Sequence, residues 1–325
     1  MQVLVTFCNT VAAPESSFAL VDLATGYVRE LPFGYHIADF GVTGLLRLPD
    51  STLALTLPGT HRVLRLGPDL SITGQYVDPL IDDPHSLAAR GDSLFLSSTG
   101  KDAVLELRPA EGGFEKAGHF DLTSAGRDTL HVNSVCIHEG ELLASVFGQD
   151  WRDHPVGTPL GAVISIERRE VLTGGLRQPH TLVSHSGDLY ILESLTGSVI
   201  RIHEEGATDV CVKHAGYLRG LTFFDGGALV GVSGGRRRSR GLGTLNVQTT
   251  HDPHRSGLLV YTPDWQLEEF HDLSWFGSEI YDVLLLEEET APPTIEETLH
   301  AAKHRATQLQ GTWEAPPEGP RPPGP

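Results

Sequence analysis

Short apolar runs separated by turns recur along the chain in five similar segments. Each segment begins with polar residues and a small residue, then continues with an apolar pair, a turn and two more short strands, as in DPHSLAARGDSLFLSSTGKDAVLEL. Apolar residues that alternate with polar ones, or that run on over about four to six positions, are typical of β-strands. The pattern predicts an all-β chain built from repeats, which begin at Gly41, Asp83, His131, Gln178 and Tyr217.

The small residue of each segment defines the period of the repeat. Successive small residues are 42, 48, 47 and 39 positions apart. A period of about 40 to 45 residues with four strands per unit is the sequence signature of a β-propeller. The small residues are Gly44, Ser86, Ser134, Thr181 and Gly220.

The two ends of the chain supply a sixth unit. Asp282 occupies the small-residue position in EIYDVLLL, but no further strands follow it. The N-terminus offers the missing three strands in VLVTFCN, SSFALVDLA and YVREL. We therefore predict a six-bladed β-propeller over residues 1–290, in which the C-terminal strand joins the first three strands and leaves no exposed sheet edge.

Beyond the predicted propeller the composition changes. Thr294 and Glu297 form a capping-box pattern, which predicts a short helix within an appendage at residues 291–312. The last segment, residues 313–325, is rich in proline and glycine and is predicted to be a disordered tail.

Composition narrows the function classes. With 24 basic and 42 acidic residues the net charge is -18, which disfavours binding to nucleic acid or to anionic membranes. The N-terminus lacks the features of a signal peptide, and no apolar run approaches the roughly 20 residues that span a bilayer. Three cysteines are too few for a disulfide framework. We expect a cytoplasmic protein.

The repeat also predicts which side chains surround the central axis. Side chains alternate along a strand, so the residues one and three positions before each small residue face the same way. Most of these twelve side chains are polar, which is more than a structural channel requires. The pairs are Gly41 and Thr43, Asp83 and His85, His131 and Asn133, Gln178 and His180, Tyr217 and Arg219, and Glu279 and Tyr281.

Two long loops are predicted on the same face, at 148–161 and 233–256, where other blades have tight turns. Long loops on a compact scaffold are commonly lids or binding loops. The first contains Trp151, a candidate substrate-binding residue. The arginines of the second either form a solvated loop tip or clamp a carboxylate or phosphate. They are Arg236, Arg237 and Arg238.

Two histidines form the candidate metal site. His85 and His180 stand in matching Pro-His-Ser/Thr-Leu blocks, two blades apart. Imidazoles held on rigid strands and converging on an axis suit Zn²⁺ or another divalent metal such as Mn²⁺ or Ca²⁺. His131, Glu279 or Gln178 would be the third ligand. The alternative is a metal-free channel in which the histidines bind each other and water.

Several blocks between about positions 80 and 290 resemble an uncharacterised bacterial family of propeller proteins. The resemblance implies a propeller fold and no particular activity. The blocks are Pro179-His180-Thr181, Leu218-Arg219-Gly220-Leu221, Val230-Gly231-Val232-Ser233 followed by arginines, and Glu279-Ile280-Tyr281-Asp282-Val283.

The Pro84-His85-Ser86-Leu87 block also resembles the zinc-binding turns of peptidyl-hydroxyglycine amidating lyase. That enzyme is a six-bladed propeller whose three zinc histidines begin inner strands. The resemblance implies that His85 and His180 bind zinc. The third equivalent position holds Tyr281, so this chain departs from the lyase pattern at one ligand.

These observations favour a metal-assisted hydrolase or lyase acting on a small anionic metabolite or a modified peptide. Tyr281 or Tyr217 would serve as acid or base, and Arg219 would neutralise negative charge in the transition state. The alternative is a non-catalytic propeller that binds a ligand or a protein. The polar residues expected to bind substrate are Asp83, Asn133 and Gln178.

Overall fold

The computed structural model describes residues 1–8, 17–31, 41–234, 238–239, 243–244 and 255–286. The predicted appendage and tail at 291–325 lie outside the described residues, as do Arg236 and Arg237. Of Arg238 only the backbone is described. Helical structure in the described residues consists of short 3-10 turns, as at Thr99–Lys101 and Trp151–Asp153. Within this part of the chain, no helix has the length and apolar character needed to cross a membrane.

The remaining regular structure is β. The strands are β1 Gln2–Phe7, β2 Phe18–Asp22, β3 Tyr27–Glu30, β4 Leu45–Arg47, β5 Leu53–Leu57, β6 Arg62–Leu66, β7 Ile72–Val77, β8 Pro84–Arg90, β9 Ser93–Ser98, β10 Ala103–Ala110, β11 Gly113–Asp121, β12 Val132–His138, β13 Glu141–Val146, β14 Gly161–Ser165, β15 Glu170–Leu176, β16 Pro179–His185, β17 Asp188–Glu193, β18 Ser198–Ile202, β19 Thr208–Lys213, β20 Tyr217–Phe224, β21 Gly227–Ser233, β22 Arg238–Ser239, β23 Gly243–Thr244, β24 Gly257–Tyr261, β25 Leu267–Asp272 and β26 Ile280–Leu286.

These strands form antiparallel sets of four. The orders are β26-β1-β2-β3, β4-β5-β6-β7, β8-β9-β10-β11, β12-β13-β14-β15, β16-β17-β18-β19 and β20-β21-β24-β25, with β22-β23 as a separate ribbon. The second and third sets are continuous, because their outer strands β7 and β11 meet in a short parallel pair at Gln75 and Gly113. The C-terminal strand pairs with the N-terminal one, from Gln2 opposite Leu286 to Phe7 opposite Ile280.

The first strand of each set contacts the first strand of the next. Contacts run from β4 to β8, β12, β16, β20 and β26, and from β26 back to β4. Apolar clusters fill the spaces between neighbouring sets. On β1, for example, Leu4 packs with Leu55 of the second set, whereas Val3 and Val5 face the opposite way and pack with Leu229 of the sixth. The prediction of an all-β, propeller-like fold is confirmed.

The first strand of each set is called its inner strand below. The small-residue positions join neighbouring inner strands to one another. Ser86 Oγ accepts the Val135 amide at 3.3 Å, and Ser134 Oγ accepts the Leu182 amide at 3.1 Å. Thr181 Oγ1 accepts the Gly220 amide at 3.0 Å. At each of these positions the pairing with the second strand of the set is interrupted, so the neighbouring inner strand is within reach of the side chain.

Glycine occurs at this position where the next strand leaves no room for a side chain. A Cβ on Gly44 would lie 3.0 Å from the His85 carbonyl oxygen and from the Ser86 Cα. Gly220 has a φ of +71°, and a Cβ there would lie 2.8 Å from Val283 and 3.0 Å from its amide nitrogen. The spacing of the repeat therefore reflects close approach of the inner strands.

Asp282 occupies the same position on β26. Its carboxylate accepts the Leu45 amide at 3.0 Å and the Val283 amide at 2.9 Å. Burial raises the pKa of Asp282 to about 7, and the two backbone hydrogen bonds only partly oppose that effect. The charged form is thus the unfavourable one in the folded protein.

Asp102 ties the third set to the start of the fourth. It is fully buried, and its carboxylate accepts the Thr129 amide at 2.6 Å and the Thr129 hydroxyl at 2.7 Å. It also accepts the amides of Leu130 at 2.8 Å and His131 at 3.0 Å. Four hydrogen bonds compensate the cost of burying this side chain and hold the segment that leads into β12.

We predict that Asp102→Asn lowers the free energy of unfolding by about 2–4 kcal/mol, because the amide nitrogen would face backbone donors and leave one or more unpaired. Urea denaturation measures the change. Asp92→Asn, at an exposed turn residue, is the matched control. Equal stability of the two variants would show that the carboxylate does not hold this segment.

We also predict a pH-dependent contribution from Asp282. Since its pKa is raised from 3.8 to about 7 on folding, its stabilising effect is complete at low pH and is lost as the pH rises through 7. Relative to Asp282→Asn, the wild-type free energy of unfolding should fall between pH 4 and pH 7, by an amount on the order of 4 kcal/mol. Urea titrations at several pH values measure the slope. If the free energies of unfolding of the two proteins changed in parallel with pH, the raised pKa of Asp282 would be refuted.

Candidate functional site

The structure brings the side chains of one predicted column together in a buried layer at the axis. Each of these residues lies one position before a small residue, on successive inner strands or, in the case of Thr43, just ahead of β4. All are buried, and Asn133 and Arg219 are only 1% and 3% exposed to solvent. The layer, called the axial layer below, consists of Thr43, His85, Asn133, His180, Arg219 and Tyr281.

Residues far apart in sequence meet in this layer. The His85 ring lies 5.5 Å from the Tyr281 ring and 5.4 Å from the His131 ring, between centroids. The His180 ring lies 5.2 Å from that of Tyr217. The second predicted column is therefore adjacent to the axial layer. Of its members, Glu279 is buried, while Asp83, His131, Gln178 and Tyr217 are half-buried.

The backbone explains how the histidines are aimed. Asp83 and Gln178 have φ values of 48° and 49°, a left-handed conformation just before strands β8 and β16. Their carbonyl oxygens lie 2.7 Å from His85 Nδ1 and 3.0 Å from His180 Nδ1. Each imidazole is thus held by a carbonyl two residues earlier in the chain.

A hydroxyl group completes each histidine environment and determines its tautomer. Thr99 Oγ1 lies 2.9 Å from His85 Nδ1 and donates to the Val132 carbonyl at 2.5 Å. Ser194 Oγ lies 2.9 Å from His180 Nδ1 and donates to the Leu218 carbonyl at 2.6 Å. Because each hydroxyl proton is already engaged, Nδ1 must be the donor, and Nε2 carries the lone pair.

Both imidazoles are neutral. Burial lowers the pKa of His85 to about 4, and electrostatic interactions with His131 and Arg219 add to that effect, although Asp83 opposes it. Burial is also the main reason that the pKa of His180 lies well below its usual value, with Arg219 the next contribution. His85 therefore presents an unprotonated Nε2 at physiological pH.

Arg219 is the positive charge of the site. One terminal nitrogen lies 3.5 Å from Glu279 Oε2 and 3.4 Å from Cys8 Sγ, and the other donates to His180 Nε2 at 3.2 Å. Its guanidinium carbon lies 5.0 Å from the Tyr217 ring centroid and 4.9 Å from that of Tyr281. Cation–π contacts on two rings fix the guanidinium within the site.

Three buried donors in or beside this cluster have no hydrogen-bond partner among the described residues. They are Asn133 Nδ2, Arg219 Nε and Tyr281 Oη. Burial raises the pKa of Tyr281 well above its usual value, so its hydroxyl keeps its proton. Buried donors without partners are costly, and three in one place are suited to binding an oxygen-rich ligand.

Other predicted substrate-binding residues have structural partners. Tyr217 Oη donates to Gln178 Oε1 at 2.8 Å. Trp151 is buried behind His131, with ring centroids 4.7 Å apart, and its Nε1 donates to Asp128 at 3.2 Å. Asp128 also binds His131 Nδ1 at 3.0 Å and Arg152. Trp151 thus supports His131. The arginines at 236–237 lie outside the described residues.

Two of the predicted metal ligands are already engaged by Arg219. His180 Nε2 already accepts a hydrogen bond from Arg219, and Glu279 pairs with the same guanidinium. A divalent cation at this position would lie beside a fixed positive charge. Among the residues that the structure describes, no group of three or more His, Cys, Asp or Glu side chains has a metal-binding arrangement.

Sequence reasoning missed the groups that position these side chains. Thr99 and Ser194 each follow their histidine by 14 residues, a shared offset that the repeat alignment could have revealed. The Cys8 thiol also lies 3.6 Å from Glu279. Its role depends on the pairing of β1 with β26, which brings together residues 271 positions apart.

Three solved structures show how widely this architecture is shared. A protein of unknown function from Bacteroides caccae has a TM-score of 0.60 at 11% identity, covering 87% of this chain and 97% of its own. A chain of the nidogen–laminin complex has a TM-score of 0.57 at 11% identity, covering 87% and 97%. A streptogramin B lyase has a TM-score of 0.51 at 12% identity, covering 89% and 85%. At these identities the likeness concerns the fold.

Sequence comparison identifies the family of the chain, which the structural likeness does not. No curated protein matches it significantly. The family model described as a domain of unknown function, DUF4915, matches residues 83–295, which include five of the six axial-layer residues. Because that match covers more than half of the chain, the protein belongs to the DUF4915 family.

Proposed function

We propose that this chain is a hydrolase or lyase that acts on a small carboxylate-bearing metabolite or modified peptide in the axial layer of a six-bladed propeller. The observation that carries the proposal is the grouping of one buried arginine with three unpartnered donors and a neutral histidine. The six-bladed form is supported by the apolar clusters between neighbouring sets and by the pairing of β26 with β1.

The donors account for carboxylate binding. Arg219 is held by a 3.5 Å contact with Glu279, which is long for a charge-assisted hydrogen bond, and its Nε has no partner among the described residues. A substrate carboxylate would supply acceptors for Arg219, for Asn133 Nδ2 and for Tyr281 Oη. Such interactions are strong in a site from which water is excluded.

The same layer contains groups able to move protons. His85 Nε2 would accept a proton from substrate or from a water molecule and return it to the leaving group, while Tyr281 Oη stays hydrogen-bonded to the carboxylate. His85 is a weak base in the free protein because Arg219 and burial disfavour its cationic form. A bound carboxylate would partly offset those effects and raise its pKa towards the range useful for catalysis. Arg219 would stabilise negative charge that develops on the substrate.

This proposal assigns to Arg219 the charge that a metal-assisted mechanism assigns to a divalent ion. Elemental analysis of untagged protein tests the difference. We expect no stoichiometric metal. A bound metal that is lost in both His85→Ala and His180→Ala would overturn this version and favour metal assistance.

We predict that small carboxylates stabilise the protein in an Arg219-dependent manner. A ligand at about 100 times its Kd stabilises the folded state by roughly 2.7 kcal/mol, which thermal shift detects. Carboxylates should raise the Tm of the wild type, and the corresponding primary amides should not. The shift should disappear in Arg219→Met and be reduced in Arg219→Lys, because lysine keeps the charge but loses the planar donor geometry.

Arg201→Met, at a part-exposed position on β18, is the matched control and should keep the full response. An equal shift in Arg219→Met and wild type would contradict the role of Arg219. A carboxylate that binds but is never converted at substrate concentrations far above its Kd would favour the non-catalytic alternative.

We further predict that His85 does not titrate near neutrality. Its Cε1–H resonance, assigned by comparison with His85→Gln, should have a midpoint near pH 4 and should stay constant from pH 5.5 to 8. Long-range ¹⁵N correlation should show a protonated Nδ1. A midpoint near 6.5, or a protonated Nε2, would refute the base assigned here.

A further inference from the structure

A cavity of about 290 Å³ adjoins the axial layer on the side towards the C-terminal ends of the inner strands. Exposure of the lining residues increases along the strands, from buried His85 and Leu182 to exposed Ser184. The cavity is therefore a funnel that opens to solvent at the face opposite the strand starts. Its inner end is formed by His85, Asn133 and Tyr281.

The inner end of the funnel carries polar groups without partners. Asn133 and Tyr281 retain 1% and 7% of their exposed surface, and neither Asn133 Nδ2 nor Tyr281 Oη has a hydrogen-bond partner among the described residues. Both are donors, since Tyr281 keeps its proton. The residues that carry these two donors lie with His85 at the closed end of the cavity.

The walls have a different character. Below the donors, aliphatic side chains alternate with serine and threonine, and the lining residues include no lysine or arginine within the described part of the chain. The volume is near the lower limit for small-molecule pockets, which are about 300–1,000 Å³. Short aliphatic chains fit such a space. The aliphatic lining includes Leu46, Ala88, Ile137, Val183 and Leu284.

We propose that this funnel is the substrate's binding site and that the substrate is a small monocarboxylate with a short aliphatic tail. Its carboxylate accepts from Asn133 and Tyr281, and its tail lies along the funnel towards solvent. The inference rests on the proposed function and deepens it, because it specifies the substrate class and the face from which the substrate enters. Arg219, stacked on the Tyr281 ring, lies behind the donors and attracts the carboxylate.

One acidic group beside the funnel modulates this attraction. Asp282 lines it, and burial raises its pKa to about 7. In the free protein the other titratable lining groups keep their charge between pH 5.5 and 8, because the pKa of His85 is lowered to about 4, that of Cys136 is raised to about 12, and Tyr281 keeps its proton. The strands beside β26 contribute two guanidinium groups, Arg47 on β4 and Arg219 on β20, which remain cationic.

A series of straight-chain acids tests the inference on the full chain. Acetate, butyrate, hexanoate and octanoate are titrated by calorimetry at pH 6 and pH 8, with hexanamide as the neutral control. Affinity should rise about fourfold per methylene until the funnel is filled, because each buried methylene contributes a fixed transfer free energy. Hexanamide should bind at least tenfold more weakly. Affinity should be greater at pH 6 than at pH 8, and Asp282→Asn should remove that difference.

Two variants locate the bound acid. Thr222→Phe narrows the funnel at a half-buried lining position and should reduce hexanoate affinity at least tenfold while sparing acetate. Thr208→Phe, at an exposed position on an outer strand, is the control and should change neither. Asn133→Leu should weaken all the acids, and an unchanged melting temperature verifies that it is folded.

The outcomes separate the two proposals. Arg219-dependent carboxylate binding that ignores tail length and is unaffected by Thr222→Phe would overturn the funnel and leave the proposed function intact. Tail-dependent binding that is equal for hexanoate and hexanamide and persists in Arg219→Lys would overturn carboxylate recognition in both.

Discussion

The close approach of neighbouring inner strands is the constraint on which the rest of the molecule depends. At the small-residue positions, the side-chain oxygens of Ser86, Ser134, Thr181 and Asp282 accept amides from the next inner strand. Where the backbones are closest, only glycine fits. Since the site side chains immediately precede these positions, the geometry that joins the strands also aims the site residues at the axis.

A buried arginine organises what those side chains can do. Arg219 donates to His180, pairs with Glu279 and lies against two tyrosine rings. Burying such a charge is unfavourable unless its surroundings compensate, and here they do so incompletely, because Nε remains without a described partner. The same charge lowers the pKa of both axial histidines. Binding of an anion would relieve both effects, which is why the proposed function centres on Arg219.

The two matching histidines are not equivalent once the chain is folded. Both are held by a carbonyl and a hydroxyl at Nδ1, and both direct Nε2 away from those partners. His180 Nε2 is occupied by Arg219, whereas His85 is beside Tyr281 and the funnel. A repeated sequence block has therefore produced one supporting imidazole and one that faces a cavity, because the neighbouring blades differ.

The sequence by itself determined an all-β, propeller-like fold, because strand alternation and a repeat period are local properties that each set of four strands displays again. It also identified the residues of the axial layer, since they hold one register position relative to Gly44, Ser86 and their counterparts. It could not determine which of those side chains pair, because pairing depends on distances across the axis between segments more than 200 residues apart, as for Cys8 and Arg219. Seen in sequence, His180 and Glu279 are free ligands; in the folded protein, a guanidinium lies against both.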